Sequence, residues 1–481
     1  MTRTSSSVAR KSPSLFLMLL SCPLLMAAPL PFRRHATSAF VAEPPRFRLA
    51  TPRRAPPLRA TKKKKKGGRP AATGVRGFGG GPTKKSTEGS AGGGEVDRTR
   101  PARAFYDFVE TACEPVSPAA AALAAANLRR VALGQFPLPD TDATLRGVVA
   151  LRDLKKGEEI LAVPYEMALD LGREGADPTL PAVALLQEIC RGGKARSEHR
   201  PVERAGYLAM LPPFLGADCR GSTDFWSEAA LDALQCPFVA DETRSRRELV
   251  RLRHERDCAP LVPDRDGERI GDGSTLALPG PEDPVGAVFA EAEAAEHAAE
   301  LHLRWATWLV TSRVLTVQGP AGSNSARRLM IPFVDMCNHD RSSPHVLSGR
   351  AEPGGMLKVI AGRDVVAGEQ VNICYGGGVA GNDRFVQDYG FLDDFGTGGD
   401  RTRGYDIVAR QVVGTGRVME GGGAGGYMPP TEQEACIAAL KETTVEEDQK
   451  ILEETEQEDM RMAVRYRIGL KEALTREGVQ L

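Results

Sequence analysis

At 481 residues the chain is long enough for about two to four domains and a sizeable core, and its 41% apolar content is that of an ordinary globular protein. The formal net charge of zero hides a split: residues 1–103 carry 22 Lys and Arg against 4 Asp and Glu, which leaves 41 basic and 59 acidic residues for the rest. So acidic a body argues against general nucleic-acid binding, where phosphate contacts need clustered cations, and favours a cationic protein segment as partner.

The N-terminus reads as a targeting leader. Arg3, Arg10 and Lys11 precede the apolar run "LFLMLLSCPLLMAA", Leu15 to Ala28, in the pattern of a signal sequence. That run is shorter than the ~20 residues of a membrane span, and no later stretch reaches that length without charges, so no membrane association is expected after processing. The next stretch, to Lys66, is rich in Arg, Lys, Pro and Thr with Glu43 as its single acid, which is transit-peptide composition. Within it, "TSAFVAEP" resembles the junction motif of plastid precursors in algae with complex plastids, with cleavage before Phe40. Plastid delivery by signal plus transit peptide is the expectation. Secretion is the rival reading, and a cut near Ala28 stays open. Lys62 to Lys66 belong to this leader rather than to a nuclear signal, and Gly67 to Gly94 reads as a disordered Gly/Lys/Ser-rich linker.

Order is expected from about Ala104, with a short helix "AFYDFVETA". "RGVVALRDLKKGEEILAVP", Arg146 to Pro164, reads as a β-hairpin turning at Gly157. Helices are expected over 180–190, 224–235 and 242–256, the second with a cap-like "STDFW" start, and then a Pro/Asp/Gly loop over 258–283. From Val285 a helical pattern runs to Leu315, exposed in its Ala/Glu half and core-facing where Trp305, Trp308, Leu309 and Val310 fall. Short strands "MLKVIA" and "QVNICY" follow, with a turn at Ala367–Gly368, then one or two helical turns in "GNDRFVQDYGFLDDF". After a Gly-rich loop at 414–426, residues 431–477 read as charged helix.

Nine cysteines, scattered and never spaced C-x-x-C, favour free thiols over a disulfide framework or a zinc site. The segment "LMIPFVDMCNHD", Leu329 to Asp340, begins like a buried strand and ends in a polar cluster. Its Asp335, Cys337 and His339, with His345, offer mixed metal ligands, but no paired-Cys or His-x-x-x-His spacing supports a metal, and none is expected. The plain alternative is a strand end whose Asn338 and His339 satisfy local backbone groups.

Three further pieces stand in order around that segment: "VTSR" ending the Trp-rich helix, "VNICYGGG" ending a strand, and "NDRFVQDYGF". Together with the Arg146 hairpin, they resemble the SET-domain protein methyltransferases. The long insert and its "GYLAMLPPFLGADCRGSTDFWSEAALDAL" are similar to the branch typified by the RuBisCO large-subunit lysine methyltransferase and the actin-histidine methyltransferases. The tail, "TTVEEDQKILEE" and "MAVRYRIGLKEAL", is similar to that branch's helical substrate-binding domain. The resemblance runs from about Thr141 to Ala473.

The resemblance implies an α+β fold: a SET β-clip core of short strands with a helical insert at about 171–300. The implied organisation is a leader and linker over 1–103, a SET domain over 104–396, and a helical C-terminal domain over 397–481. It implies S-adenosyl-L-methionine as cofactor and methylation of a protein lysine, in RuBisCO large subunit or another plastid protein, by a monomer. A protein-histidine methyltransferase of the same fold and a non-catalytic binding module are the alternatives. By the same resemblance Tyr375 is the catalytic tyrosine at a lysine channel. Asn338 and His339 hold the cofactor's adenine and amino-acid ends, Arg313 meets its carboxylate, and Tyr389 packs at its pocket. Thr144, Leu145 and Arg146 supply main-chain contacts, and Ser312 and Asp335 line the lysine side. The chemistry suits these types. A planar guanidinium matches a carboxylate, a tyrosine hydroxyl and carbonyls orient an amine and a polarised methyl, and aligned near-attack geometry contributes on the order of 7 kcal/mol at best. The sequence departs from the pattern in "TLRGV", which keeps one glycine of the usual two, and in the long "YGGGVAGN".

Overall fold

A computed structural model of the chain describes residues 94–137, 144–194, 201–215, 221–258, 285, 298–320, 325–393, 402–420 and 423–481. The leader with its cleavage motif, nearly all of the Gly-rich linker, the 259–283 part of the expected loop and the first half of the Val285 helix lie outside the described residues. The strands in chain order are β1 (Glu95–Val96), β2 (Val131–Pro137), β3 (Thr144–Ala150), β4 (Glu159–Pro164), β5 (Leu169–Arg173), β6 (Leu315–Gln318), β7 (Ala326–Met330), β8 (Asn338–His339), β9 (Val346–Ser348), β10 (Met356–Ile360), β11 (Gln370–Ile373), β12 (Arg417–Glu420) and β13 (Gly423–Tyr427). They form a sheet of order β1-β2-β3-β11-β8, two three-stranded sheets, β4-β10-β9 and β5-β7-β6, and a ribbon of β12 and β13. With helices gathered around these small, mainly antiparallel sheets, the architecture is α+β.

Order starts earlier than Ala104. Glu95 and Val96 pair with Gln135 and Gly134, so the stretch to 103 is not all linker. The first helix spans Arg100–Thr111. Thr99 caps it by accepting from the Ala102 N–H, and Pro101 sits in the first turn, where its missing N–H costs nothing. Ala102, Phe105, Phe108 and Val109 recur at helical spacing, and all are buried. Burying each phenylalanine contributes about 2 kcal/mol. The Phe105 ring meets Phe333 edge-on at 4.8 Å, and Phe108 stacks on Tyr207 at 6.1 Å.

The expected hairpin at 146–164 does not form. β3 and β4 lie in different sheets: β3 pairs with β2 from Val131↔Ala150 to Pro137↔Thr144, while β4 pairs with β10. The connection between them is far longer than the two-residue turns that close tight hairpins, and Leu154 within it bridges to Val365 instead. The Gly-rich stretch at 414–426 likewise contains the β12–β13 ribbon rather than only loop.

Helices Thr179–Cys190, Glu228–Ala233 and Pro237–Arg253 occupy the insert. The cap of the second is Ser227, which accepts from Ala230 N–H, rather than a residue of "STDFW" ahead of Trp226. Ala298–Arg313 is the Trp-rich helix, with Trp305 fully buried. The charged tail resolves into Pro430–Leu440, Val445–Glu454 and Glu458–Arg476. Two cores result. The larger joins Phe105, Tyr207, Phe214, Trp305 and Phe333 with the strands. The second joins Leu231, Leu234 and Val239 of the insert to Tyr405, Met428, Tyr466 and Leu470 of the C-terminal region, so the boundary at 396 does not separate two cores. All described residues fall in one compact unit, Ser86–Leu481. No described helix is long and apolar enough to cross a membrane.

Candidate active site

The sheet order builds the site. β11 runs antiparallel to β3, with Gln370↔Val149 and Val371↔Val148. On its other side β11 pairs in parallel with β8, with Asn372↔Asn338 and Ile373↔His339. The Asn-His pair therefore lies beside the strand that delivers Tyr375. The approach to β8 is not a continued strand. After β7 the chain makes a short 3₁₀ turn, Val334–Met336, entered through Phe333 at φ 67. A phenylalanine in that region is strained, and its burial against Phe105 holds it there.

Asn338 donates from Nδ2 to the Arg146 carbonyl at 3.0 Å, tying β8 across to β3. Gly147 permits this approach: a Cβ there would stand 2.7 Å from Asn338 Nδ2 and 2.5 Å from Gln370 Nε2. The Tyr375 hydroxyl donates to the Cys337 carbonyl at 2.6 Å, and its N–H donates to His339 Nδ1 at 3.0 Å. Its ring stacks on Tyr389, with centroids 4.8 Å apart. Burial pushes both phenols well above their usual range, so they stay protonated and act as donors.

Arg313 ends the Trp-rich helix and donates from Nη1 to the Asp335 carbonyl at 2.9 Å. Asp335 is 7% exposed, and its Oδ2 accepts from the Tyr207 hydroxyl at 2.7 Å. Burial raises its carboxyl to about 6, against the opposing pull of Arg313, Tyr207 and Arg146. Arg146 donates to the Met210 carbonyl at 2.6 Å, and burial, aided by Arg313, lowers its guanidinium to about 10. Ser312 donates to the Trp308 carbonyl one turn back at 2.7 Å.

Arg146, Ser312, Arg313, Asp335, Asn338, Tyr375 and Tyr389 line one cavity of about 390 Å³, together with Leu145, Pro212, Pro213, Trp308, Met336, Cys337 and Phe391. The volume is in the range of small-molecule sites. Of the residues expected from sequence, Leu145, Arg146, Ser312, Arg313, Asp335, Asn338, Tyr375 and Tyr389 line it. Thr144 and His339 do not. Thr144 is at the exposed start of β3, donating to Gln135. His339 stands behind Tyr375, holding its N–H, with Nε2 3.5 Å from Asp393.

Of the mixed ligands the sequence offers, His345 Nδ1 accepts from the Gly362 N–H and the Cys337 thiol points to the Phe333 carbonyl. Among the described residues no three His, Cys, Asp or Glu side chains converge as a metal site.

Two arginines outside the motif words support the site. Arg341 donates to Asp393 and to the carbonyls of Gly378 (3.2 Å) and Ala380 (3.0 Å), closing the glycine loop after Tyr375. Buried Arg246 donates to Asp224 (2.8 Å), Asp388 (2.7 Å) and the Gln387 carbonyl (2.6 Å), fixing the turn that carries Tyr389. Gly390 ends that turn at φ 80, hard against the Gly221 carbonyl, where a Cβ would come within 2.2 Å. The "LPPF" and "YGF" words contain Pro212, Pro213 and Phe391, whereas no motif word marks Arg246 or Arg341.

No protein-family model matches the chain, and neither does any curated protein. Among solved structures it is similar to the SET domain of LSMT bound to lysine and AdoHcy, at TM-score 0.44 and 18% identity, over 78% of this chain and 89% of that one. It is similar also to the SET domain of LSMT bound to MeLysine and AdoHcy, at TM-score 0.43 and 17% identity, over 79% and 90% of the two chains.

Proposed function

We propose that this chain is an S-adenosylmethionine-dependent protein-lysine N-methyltransferase of the SET type, acting as a monomer on a plastid protein. The observation that carries the reading is convergence. Arg313, Asn338, Tyr375 and Tyr389, which the motif resemblance singles out in four separate segments, line the same cavity. A plain strand end with locally satisfied polar groups gives no reason for that meeting.

The residues fit the cofactor. Arg146 and Arg313 supply positive charge for a carboxylate, and Arg313 Nε is buried without a hydrogen-bond partner. Tyr389, Trp308 and Phe391 offer apolar surface for an adenine, and Asn338 fixes the β3 backbone beside them. When bound, S-adenosylmethionine supplies a methyl group on a positively charged sulfur. The chain's own part is alignment. Tyr375, held by Cys337, His339 and Tyr389, sets a hydroxyl and carbonyl edge toward which an amine can be oriented. Asp335 contributes negative charge on the amine side. An ammonium bound beside Asp335 has to give up its proton before the nitrogen can attack, and desolvation against the aromatic walls favours that loss.

Plastid delivery rests on the leader's composition and its "TSAFVAEP" word. RuBisCO large subunit is the first substrate to try. The test incubates the full chain with labelled S-adenosylmethionine and plastid extract, followed by mass spectrometry of the labelled protein. The expected result is label on a lysine, lost in Tyr375→Phe. No labelled protein, or equal labelling by the variant, overturns the catalytic reading, and label on histidine overturns the lysine assignment.

A further inference from the structure

Tyr207 lies in the insert, in the short helical turn Ala205–Leu208, and is fully buried against Phe105 and Phe108. Nothing in its local sequence links it to the 3₁₀ turn that carries Asp335. Yet its hydroxyl donates to Asp335 Oδ2 at 2.7 Å. The other carboxylate oxygen, Oδ1, is buried and has no hydrogen-bond partner. Asp335 also forms part of the cavity wall that holds Tyr375. A buried acceptor left unpaired beside a cavity points to a group that arrives with the ligand.

We infer that Tyr207 is a positioning residue for the reaction: it pins Asp335 by one oxygen so that the other receives the ammonium of the incoming lysine. This rests on the methyltransferase reading and deepens it. The groups facing Asp335 are few: Tyr207 from the insert, Arg313 from the Trp-rich helix, Arg146 from β3, and Cys337 and Tyr375 from the segments beside it. The two arginines and the tyrosine favour the ionised carboxylate, and burial opposes it. Neither arginine donates to Oδ1: Arg313 donates to the Asp335 carbonyl and Arg146 to the Met210 carbonyl. The tyrosine hydroxyl is thus the direct hydrogen-bond donor to this carboxylate from another residue, and it selects both the oxygen left over and the pH at which that oxygen is charged.

The test is calorimetric binding of Nα-acetyl-lysine amide to the full chain saturated with S-adenosylhomocysteine, from pH 5 to 8. In the native chain affinity rises with pH, with a midpoint near the Asp335 value of about 6. Removing one hydrogen bond to a charged group in Tyr207→Phe raises the midpoint by about one unit. Binding then weakens about ninefold at pH 5 but only about twofold at pH 7. Asp335→Asn binds weakly with a flat profile, and adding Tyr207→Phe to it changes nothing further. A loss in Tyr207→Phe of equal size at every pH is what a merely structural tyrosine produces, and it overturns the inference. A midpoint near 6 surviving in Asp335→Asn overturns it as well, without recourse to the tyrosine variant. A native chain that binds S-adenosylhomocysteine but no lysine amide removes the ammonium site and leaves the cofactor reading standing. A native chain that binds neither overturns the methyltransferase reading itself.

Discussion

Gly147→Ala tests the site's geometry with a single methyl group. Gly147 lies in β3, where alanine is tolerated by the backbone, so the effect comes from what the new Cβ meets. It meets Gln370 Nε2 at 2.5 Å, Asn338 Nδ2 at 2.7 Å and Phe136 Cε2 at 3.1 Å. The Gln370 amide is the far end of a flexible side chain and can swing away. Asn338 cannot yield without leaving the Arg146 carbonyl, since its amide is roughly 0.8 Å inside ordinary contact. Forced crowding costs about 1–3 kcal/mol and the lost hydrogen bond about 1 kcal/mol. If half of that falls on the cofactor-competent arrangement, affinity drops about tenfold. The assay is calorimetric titration with S-adenosylhomocysteine, run beside a thermal melt. Gly157→Ala is the control: at φ 87 with open space around it, an added methyl strains the backbone and lowers the melting temperature while leaving the cavity alone. Cofactor affinity in Gly147→Ala within twofold of native would refute the reasoning, whatever the melt shows.

Asp335→Asn is expected to change how stability responds to pH. Burial raises the native carboxyl to about 6 from an unfolded value of 3.8, so the native state holds that proton more tightly. Its contribution is then fully present below pH 4 and lost as pH rises through 6, a change of about 3 kcal/mol that the asparagine variant lacks. Urea midpoints of the two chains at pH 3.5, 5 and 7 should diverge, and parallel curves would contradict the account. Arg341→Ala frees Asp393 and the Gly378 and Ala380 carbonyls, for an expected loss of about 3 kcal/mol and slower methyl transfer. Lysine at 341 should restore little, because one ammonium cannot span that fork, and full rescue in a labelled-methyl assay would argue otherwise. Asp448→Asn strands Lys471 and Arg467, each 2.7 Å from its carboxylate in the C-terminal helices, and should cost about 3–5 kcal/mol by urea unfolding with cofactor affinity unchanged.

Much of the cavity could be read from words in the chain. Arg313 and Tyr389 close helical stretches, Tyr375 follows the end of β11, and Asn338 opens β8, so all four lie at element boundaries, where a sheet gathers side chains. What stayed hidden depends on pairing. The run of Val and Leu in β3 says it will be buried, but not that β2 rather than β4 lies beside it. Period-2 patterns carry no partner information once the connecting loop is long. Tyr207 and Asp335 are 128 positions apart, and no local spacing announces a bond between them. Phe333 illustrates a different blindness: its positive φ is imposed by packing against Phe105, which overrides what phenylalanine prefers locally. His339 stands out in the sequence for its place in the Asn-His pair. Its work, though, is behind the tyrosine rather than in the cavity.

The second core has a consequence for engineering. Because Leu231, Leu234 and Val239 pack with Tyr405, Tyr466 and Leu470, the module at the C-terminal end is stitched from two distant pieces of the gene. A chimera that swaps only the last eighty or so residues would mate a foreign helix face to a resident one and expose whatever failed to fit. The heritable unit for retargeting such a protein is discontinuous: the strip around 226–240 has to travel with the tail.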